Sequence, residues 1–311
     1  MVHEGIAHVL RPCAALQMSI DAAPTLPPEI VDIIIGRVNG YRSLLACCLV
    51  AHHWLPASRH NLFQFIYASS EAAYGLLVSR VLHSDNMRKY LRFTRRIYLY
   101  DPNPPYWDTG FKFSHQQNER SSLSAASRLF LCEFAGHLQN LTKLSMIDIK
   151  WPNSLALRSK PLLLARYPSL ERLRLERCRF PSVSYLRRAL TALPCLHDLS
   201  MDDVSYYSEP IGPPILDQHQ LTRPELTRFS FAYTTTKDWD SFQVDAIVSW
   251  LHKSPTVSSI EILSFSMGAR RFGPRGATIT HPDVSLTIPQ LEFLHAVAPN
   301  VSDLTLSVAG M

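Results

Sequence analysis

The residue types best suited to chemistry stand close together at Cys195, His197 and Asp198. A thiol two residues from an imidazole is typical of a cysteine nucleophile or of one half of a metal site. No second pair of ligands follows at a suitable spacing, and Cys195 adjoins Leu196, which belongs to a recurring apolar pattern. We therefore attribute these residues to packing and connections, and we expect neither a catalytic residue nor a metal here.

The other short motifs do not indicate catalysis either. His52 and His53 are adjacent, but no further ligand stands at a metal-site spacing. The chain has only 11 glycines, and none of them belongs to a phosphate-binding loop or a Gly-x-Ser-x-Gly elbow. The sequence thus predicts a protein that binds other molecules, is not an enzyme and has no cofactor.

The composition bounds the class of protein. The chain has 311 residues, of which 46% are apolar, and this is enough for a sizeable core. None of the six cysteines forms a Cys-x-x-Cys pair, and so sparse a set predicts a reducing compartment, the cytoplasm or the nucleus. No apolar run reaches the roughly 18 residues of a membrane span, so we expect no membrane partner. The net charge of +5 is not gathered into a dense Lys/Arg run, which argues against nucleic acid.

One apolar pattern occurs six times between residues 141 and 306. It reads apolar-x-x-apolar-x-apolar, and its successive copies begin 29, 26, 30, 31 and 44 residues apart. The first copy is Leu141, Leu144 and Met146, and the fifth is Val257, Ile260 and Ile262. The longest interval contains a Gly- and Arg-rich insertion at 268–278. The alternating part predicts half-buried strands, and the segments before most copies, such as 182–193 and 242–253, have helical spacing. An earlier segment, 95–100, is a further candidate strand.

Each copy of the pattern, with the helix before it, forms a unit of one strand and one helix. Such units resemble the leucine-rich repeat, over about residues 90–311. The turns depart from that family, because only Cys178 occupies a ladder position where Asn or Cys is usual. The alternative is an ordinary α/β domain in which the apolar triplets recur by chance. Repeats of this kind would turn the polar strand residues toward a concave binding face.

The charges on that expected face change along the chain, from basic near 172 to acidic near 198–202. Mixed charge favours a specific protein partner over a polyanion. The candidate substrate-binding residues are Arg172, Arg174, Glu176, Asp198, Asp202, Arg228 and Glu261.

A different block stands near the N-terminus, LPPEIVDIIIGRVNGYRSLLACCLVAHHW at 26–54. Its Pro-Pro-Glu start suits the first turn of a helix, and its Asn-Gly pair ends that helix. Further helices are predicted at about 43–53 and 57–65. Three such short helices bury little by themselves, so their apolar surplus indicates a surface for a partner.

This block resembles the F-box, the module that recruits an Skp-family adaptor into a cullin–RING ubiquitin ligase. The Leu-Pro-x-Glu opening matches at 26–29, and the Leu-Leu…Val-x-x-x-Trp core matches at 44–54. The order of these residues is similar to that in F-box proteins of mushroom-forming fungi. Ala51, His52 and His53 depart from the family, which usually has Cys or Ser and then basic residues there. The resemblance implies that the adaptor is bound by Leu26, Pro27, Ile30, Ile34, Leu44, Leu45, Val50 and Trp54.

Together the two resemblances imply an α/β chain in which a short all-helical F-box module precedes an irregular leucine-rich-repeat-like solenoid of strand plus helix units. The implied division is a flexible lead-in at 1–24, the F-box at 25–66, a linker helix at 67–90 and the solenoid at 91–311. The implied function is that of the substrate-recognition subunit of an SCF-type cullin–RING ubiquitin ligase, with an unknown protein substrate held by the repeats.

Two other functions stay open on the sequence alone. The first is a leucine-rich-repeat binding scaffold with no ubiquitin link, in which the N-terminal helices only cap the repeats. The second is a nucleic-acid binder that uses the arginines at 172, 174, 177, 179, 187 and 188.

Overall fold

The computed structural model describes most of the chain between residues 26 and 309. The described residues are 26–38, 40–100, 124–151, 164–206, 225–234, 242–252, 256–268, 286 and 288–309. The predicted lead-in at 1–24 and the insertion beyond Gly268 lie outside them. The chain divides into two compact units, residues 1–58 and residues 59–311.

The described part of the first unit is helical. It contains α1 (Pro28–Gly36), α2 (Tyr41–Val50), a 3-10 turn (His52–Trp54) and the start of α3 (Leu55–Phe63), which continues into the second unit. Pro27 precedes α1 as its cap, and Pro28 occupies the first helical position, where a missing N–H costs nothing. Gly40 has a φ of 115°, a conformation that side-chain-bearing residues rarely adopt, and it precedes α2 directly.

The two long helices of this unit bury only part of their apolar residues. On α1, Val31 and Ile35 are buried one turn apart, and on α2 the buried residue is Leu44. Residues at i and i+4 lie on the same helix face, so Val31 and Ile35 define the inward face of α1. The remaining large apolar residues of both helices are exposed.

The second unit alternates strands and helices. Its first part contains β1 (Phe65–Ala68), α4 (Glu71–Leu76), a π-helical turn (Leu77–Leu82), α5 (Asp85–Arg88), a 3-10 turn (Lys89–Phe93), β2 (Arg96–Tyr100), α6 (Ser124–Glu133) and β3 (Lys143–Ile147). There follow β4 (Arg172–Glu176), β5 (Arg179–Phe180), α7 (Val183–Thr191), β6 (Asp198–Asp202) and β7 (Ser205–Tyr206). The last part contains β8 (Arg228–Thr234), α8 (Phe242–His252), α9 (Thr256–Ser259), β9 (Ile262–Gly268), α10 (Ile288–Val297) and β10 (Asp303–Ala309).

Eight of these strands join into one parallel sheet in the order β1-β2-β3-β4-β6-β8-β9-β10, while β5 and β7 form a separate small sheet. The register aligns the apolar residues of all eight strands, and period-two alternation turns them to the same face. The first apolar row is Ile66, Ile97, Leu144, Leu173, Leu199, Phe229, Leu263 and Leu304. The second is Ala68, Leu99, Met146, Leu175, Met201, Phe231, Phe265 and Leu306.

The apolar rows and the helices share one hydrophobic core, except for Leu304 and Leu306 of β10, which are exposed. In α7, Val183, Leu186 and Leu190 recur at helical spacing and are buried, and the Ser182 hydroxyl caps the helix by accepting from the Tyr185 N–H. Phe229 of β8 meets Phe293 of α10 edge to face, with ring centroids 6.0 Å apart.

Over the residues that the structure describes, no helix combines the length and apolar character that crossing a membrane requires.

The fold is α/β, but the predicted arrangement is wrong in two respects. The strands form one eight-stranded parallel sheet accompanied by helices, not a solenoid of stacked leucine-rich-repeat-like units. The segment 25–66 is not an all-helical module either, because its last residues belong to β1 and its compact part ends at Ser58. Alternating apolar residues report that one face of a strand is buried. They do not report how the strands pair with one another. That pairing is made by backbone N–H and C=O groups, which nearly every residue carries whatever its side chain.

The register of β9 also differs from the prediction. The apolar pattern assigned Ile260 and Ile262 to the buried face of this strand. In the structure the strand begins at Ile262 and turns Leu263 and Phe265 inward, three positions later, while the buried Ile260 precedes the strand. The segment offers several apolar residues close together, and a shift by an odd number of residues exchanges the two faces of a strand.

Candidate functional site

Exposed apolar side chains are concentrated on the two helices of the first unit. On α2, Tyr41, Leu45 and Leu49 follow one another at four-residue spacing and therefore share one helix face. Leu49 is 87% exposed, which is extreme for a leucine. We call the whole set the N-terminal apolar surface. Its members are Leu26, Ile30, Ile33, Ile34, Tyr41, Leu45, Leu49 and Val50.

The eight residues expected to bind an adaptor divide between surface and interior. Leu44 is only 8% exposed and Trp54 is partly buried, so these two side chains offer less to a partner than the pattern suggests. The other six are exposed: Leu26, Pro27, Ile30, Ile34, Leu45 and Val50.

Three exposed residues of this surface, Ile33, Tyr41 and Leu49, were absent from the expected set. The four-residue spacing of Tyr41, Leu45 and Leu49 was available in the sequence and could have revealed two of them. The family pattern directed attention to Leu44 instead.

The second candidate surface is the sheet face opposite the apolar rows. Strand residues between the apolar ones point to this face, and the register places them side by side. The first polar row runs Arg96, Lys143, Arg172, Asp198 and Arg228. The second runs Tyr98, Ser145, Arg174, Ser200 and Ser230. The third runs Ile147, Glu176, Asp202 and Ala232.

Six of the seven expected substrate-binding residues therefore share one face of the sheet. The exception is Glu261, because β9 begins at Ile262 and this isoleucine takes the position next to Arg228. Glu261 is exposed just before the strand, where its carbonyl accepts from the Asp303 N–H.

Some charges on this face are paired with one another. Arg174 donates to Glu176 over 2.8 Å, and Arg228 stands 3.8 Å from Asp198. Both contacts are partly open to solvent, so each stabilises the fold by about 0–1 kcal/mol.

The ends of the strands are held by a stronger ion pair. Asp148 and Arg177 each follow the last residue of a strand, and both adopt left-handed backbone conformations, with φ of 60° and 50°. Arg177 donates from two nitrogens to the two carboxylate oxygens of Asp148 and also contacts Glu176. The Asp148 hydrogen bonds, opposed in part by desolvation, raise the pKa of Arg177.

Cys178 follows Arg177 and is fully buried, with its Sγ 3.3 Å from the Met146 carbonyl oxygen, to which it donates. Burial in apolar surroundings raises the pKa of its thiol to about 12. A thiol that remains protonated and inaccessible has a structural role, because the thiolate is the reactive form.

The residues considered for chemistry make separate contacts. Cys195 is exposed, His197 lies 3.8 Å from the Glu171 carboxylate in a half-exposed pair, and Asp198 lies 3.8 Å from Arg228. No group of three or more His, Cys, Asp or Glu residues suited to a metal ion occurs in the described ranges.

One open cleft of about 350 Å³ lies at the start of the first strands. The side chains of Asn140, Thr142 and Ser169 in its wall already donate to backbone carbonyls. Among the described residues, its lining is His60, Phe93, Arg95, Asn140, Thr142 and Ser169.

Comparison with known proteins adds no assignment. No model of a known protein family matches the chain, and no curated protein matches it either.

Proposed function

We propose that this protein is a non-catalytic substrate receptor of an SCF-type cullin–RING ubiquitin ligase. Its N-terminal apolar surface binds an Skp-family adaptor, and the polar face of its sheet binds a protein substrate. The proposal joins the F-box resemblance of residues 26–54 to the exposure of six of the eight side chains that the resemblance assigns to adaptor binding.

The exposed leucines and isoleucines of α1 and α2 are the observation that carries the proposal. Large exposed apolar patches on soluble proteins are typical of protein interfaces. Full burial of a leucine or isoleucine side chain contributes about 1.5–3 kcal/mol, so a few of these residues suffice for a stable complex.

The receptor would act by proximity. A substrate held on the sheet face and an adaptor held on the N-terminal helices are tethered through one chain, which raises the effective concentration of substrate lysines near a ubiquitin-conjugating enzyme. The protein itself then needs no catalytic residue and no cofactor. Such a role places it in the cytoplasm or the nucleus, in keeping with the sparse cysteines.

The test is co-elution of the full chain with a purified Skp-family adaptor on size-exclusion chromatography. The informative variant is Ile30→Asp with Leu45→Asp, because both residues are exposed and a carboxylate opposes burial in an apolar interface. The matched control is Ile288→Asp with Leu291→Asp on α10, where the same residue types are at least as exposed.

We expect the unchanged chain and the α10 control to co-elute with the adaptor and the Ile30/Leu45 variant to elute alone. Equal binding by all three would show that the adaptor uses another surface. Binding by none of them would overturn the ligase proposal and leave a binding protein with no ubiquitin link.

A further inference from the structure

Three cations stand side by side on neighbouring strands of the polar face. Arg96 of β2 is in register with Lys143 of β3, which is in register with Arg172 of β4. Adjacent parallel strands lie about 4.8 Å apart, so the three side chains begin within about 10 Å of one another. We call these three residues the cationic row.

The cationic row makes no ion pair in the part of the chain that the structure describes, although Asp198 on the next strand is in register with Arg172. The ion pairs found there involve neither Arg96, Lys143 nor Arg172. Like charges directly opposite each other on neighbouring strands destabilise a sheet. The arrangement therefore costs folding free energy in the isolated chain and would be relieved by an anionic partner.

A buried hydroxyl lies beside the cationic row. Ser145 projects to the polar face between Tyr98 and Arg174, is 0% exposed, and its Oγ makes no hydrogen bond within the described structure. A buried polar group without a partner is costly, so its presence next to three cations is a second, independent indication of a ligand.

We propose that the cationic row and Ser145 bind a segment rich in aspartate or glutamate on the protein substrate. This inference rests on the proposed function, because it names the substrate class of the sheet face. Carboxylates supply the charge that the row lacks and can accept from the Ser145 hydroxyl. The width of the row matches two to three consecutive acidic side chains.

The neighbouring charges favour a short acidic segment over a nucleic acid. The next residue of the same polar row is Asp198, and Glu176 and Asp202 occupy the adjoining row. A long polyanion that continued across the sheet would meet these carboxylates, whereas a short acidic segment would end before them.

The probe is a fluorescent ten-residue glutamate-rich peptide, and the readout is fluorescence anisotropy with the full-length chain. We compare Lys143→Gln with Arg172→Gln against a control with the same change in net charge, Arg80→Gln with Arg188→Gln, both exposed and outside the sheet. The row variant should weaken peptide binding about tenfold, and the control less than about twofold. Ser145→Ala should weaken binding about fivefold without loss of thermal stability.

A glutamine-rich peptide of equal length and a single-stranded oligonucleotide of equal formal charge complete the experiment. Equal loss in the row variant and the control would overturn the proposal, as would tighter binding of the oligonucleotide than of the peptide. Adaptor co-elution of the row variant is measured in parallel. Retained adaptor binding with no peptide binding by the unchanged chain would overturn this inference alone, and absent adaptor binding would instead count against the ligase proposal.

Discussion

Arg177 donates two hydrogen bonds to the Asp148 carboxylate, from Nε to Oδ1 at 2.6 Å and from Nη2 to Oδ2 at 2.7 Å, and so joins the ends of two neighbouring strands. The backbone hydrogen bonds between the strands extend through these two residues. The Asp148 N–H donates to the Glu176 carbonyl, and the Arg177 N–H donates to the Asp202 carbonyl. Asp203 follows β6 with the same left-handed backbone and donates to Ala232. The left-handed turn thus keeps the next backbone N–H in line with the neighbouring strand.

The Arg177–Asp148 pair predicts a measurable stability difference. Asp148→Ala removes a buried carboxylate that pairs with a partly buried guanidinium, and we expect the free energy of unfolding to fall by about 2 kcal/mol. Asp85→Ala is the control, because Asp85 pairs with Arg88 at an exposed site and should contribute less than about 0.5 kcal/mol. Urea unfolding of both variants makes the comparison, and equal losses would contradict the structural role of Asp148.

The same leucine-to-alanine substitution should lower the stability of the fold by different amounts at two positions of one apolar row. Leu144 and Leu304 occupy the same register row, but Leu144 is fully buried and Leu304, on an edge strand, is 50% exposed. Leu144→Ala should cost about 2–5 kcal/mol of stability, and Leu304→Ala about 1 kcal/mol or less. Chemical denaturation of the full chain measures both, and similar losses would show that the sheet edge is covered.

The orientation of α1 predicts a contrast between two isoleucines. Ile35 is 0% exposed and Ile33 is 60% exposed on the same helix. Ile35→Ala leaves a cavity and should accelerate hydrogen exchange of the α1 and α2 amides, while Ile33→Ala should leave it unchanged. Mass spectrometry of peptides covering 28–50 reports the exchange locally. Faster exchange in the Ile33 variant would place that side chain in the interior.

The buried thiol of Cys178 predicts a loss of stability at alkaline pH. Burial raises its pKa from 9.0 to about 12, so the unfolded chain releases this proton first. Its contribution is therefore complete below pH 9 and is lost as the pH rises toward 12. Tyr185, whose pKa is raised by burial from 10.0 to about 12, acts in the same direction between pH 10 and 12.

Urea midpoints measured at several pH values between 8 and 11 test this prediction. Cys178→Ala should lose stability with pH less steeply than the unchanged chain, whatever its absolute stability. Cys195→Ala removes an exposed thiol and is the matched control. Parallel pH curves for the Cys178 variant and the unchanged chain would refute the assignment.

Local pattern predicted local structure well where one signal dominated. A strand overlaps each of the six segments that carry an apolar triplet, and the helices at α1, α2, α7 and α8 follow their apolar spacing. The pattern failed where two signals were close to equal. β1 was missed because its four residues follow a helix directly, and β9 was shifted because its apolar residues permit more than one register.

The candidate sites show the same division. The sequence by itself determined which residues are apolar, charged or turn-forming, and so the existence of an N-terminal helical surface and of alternating strands. Only the tertiary structure decided that Leu44 is interior while Leu49 is exposed, and that Arg96, Lys143 and Arg172 meet on neighbouring strands. Burial and cross-strand pairing join residues far apart in the chain, and a local pattern carries no information about such distant neighbours.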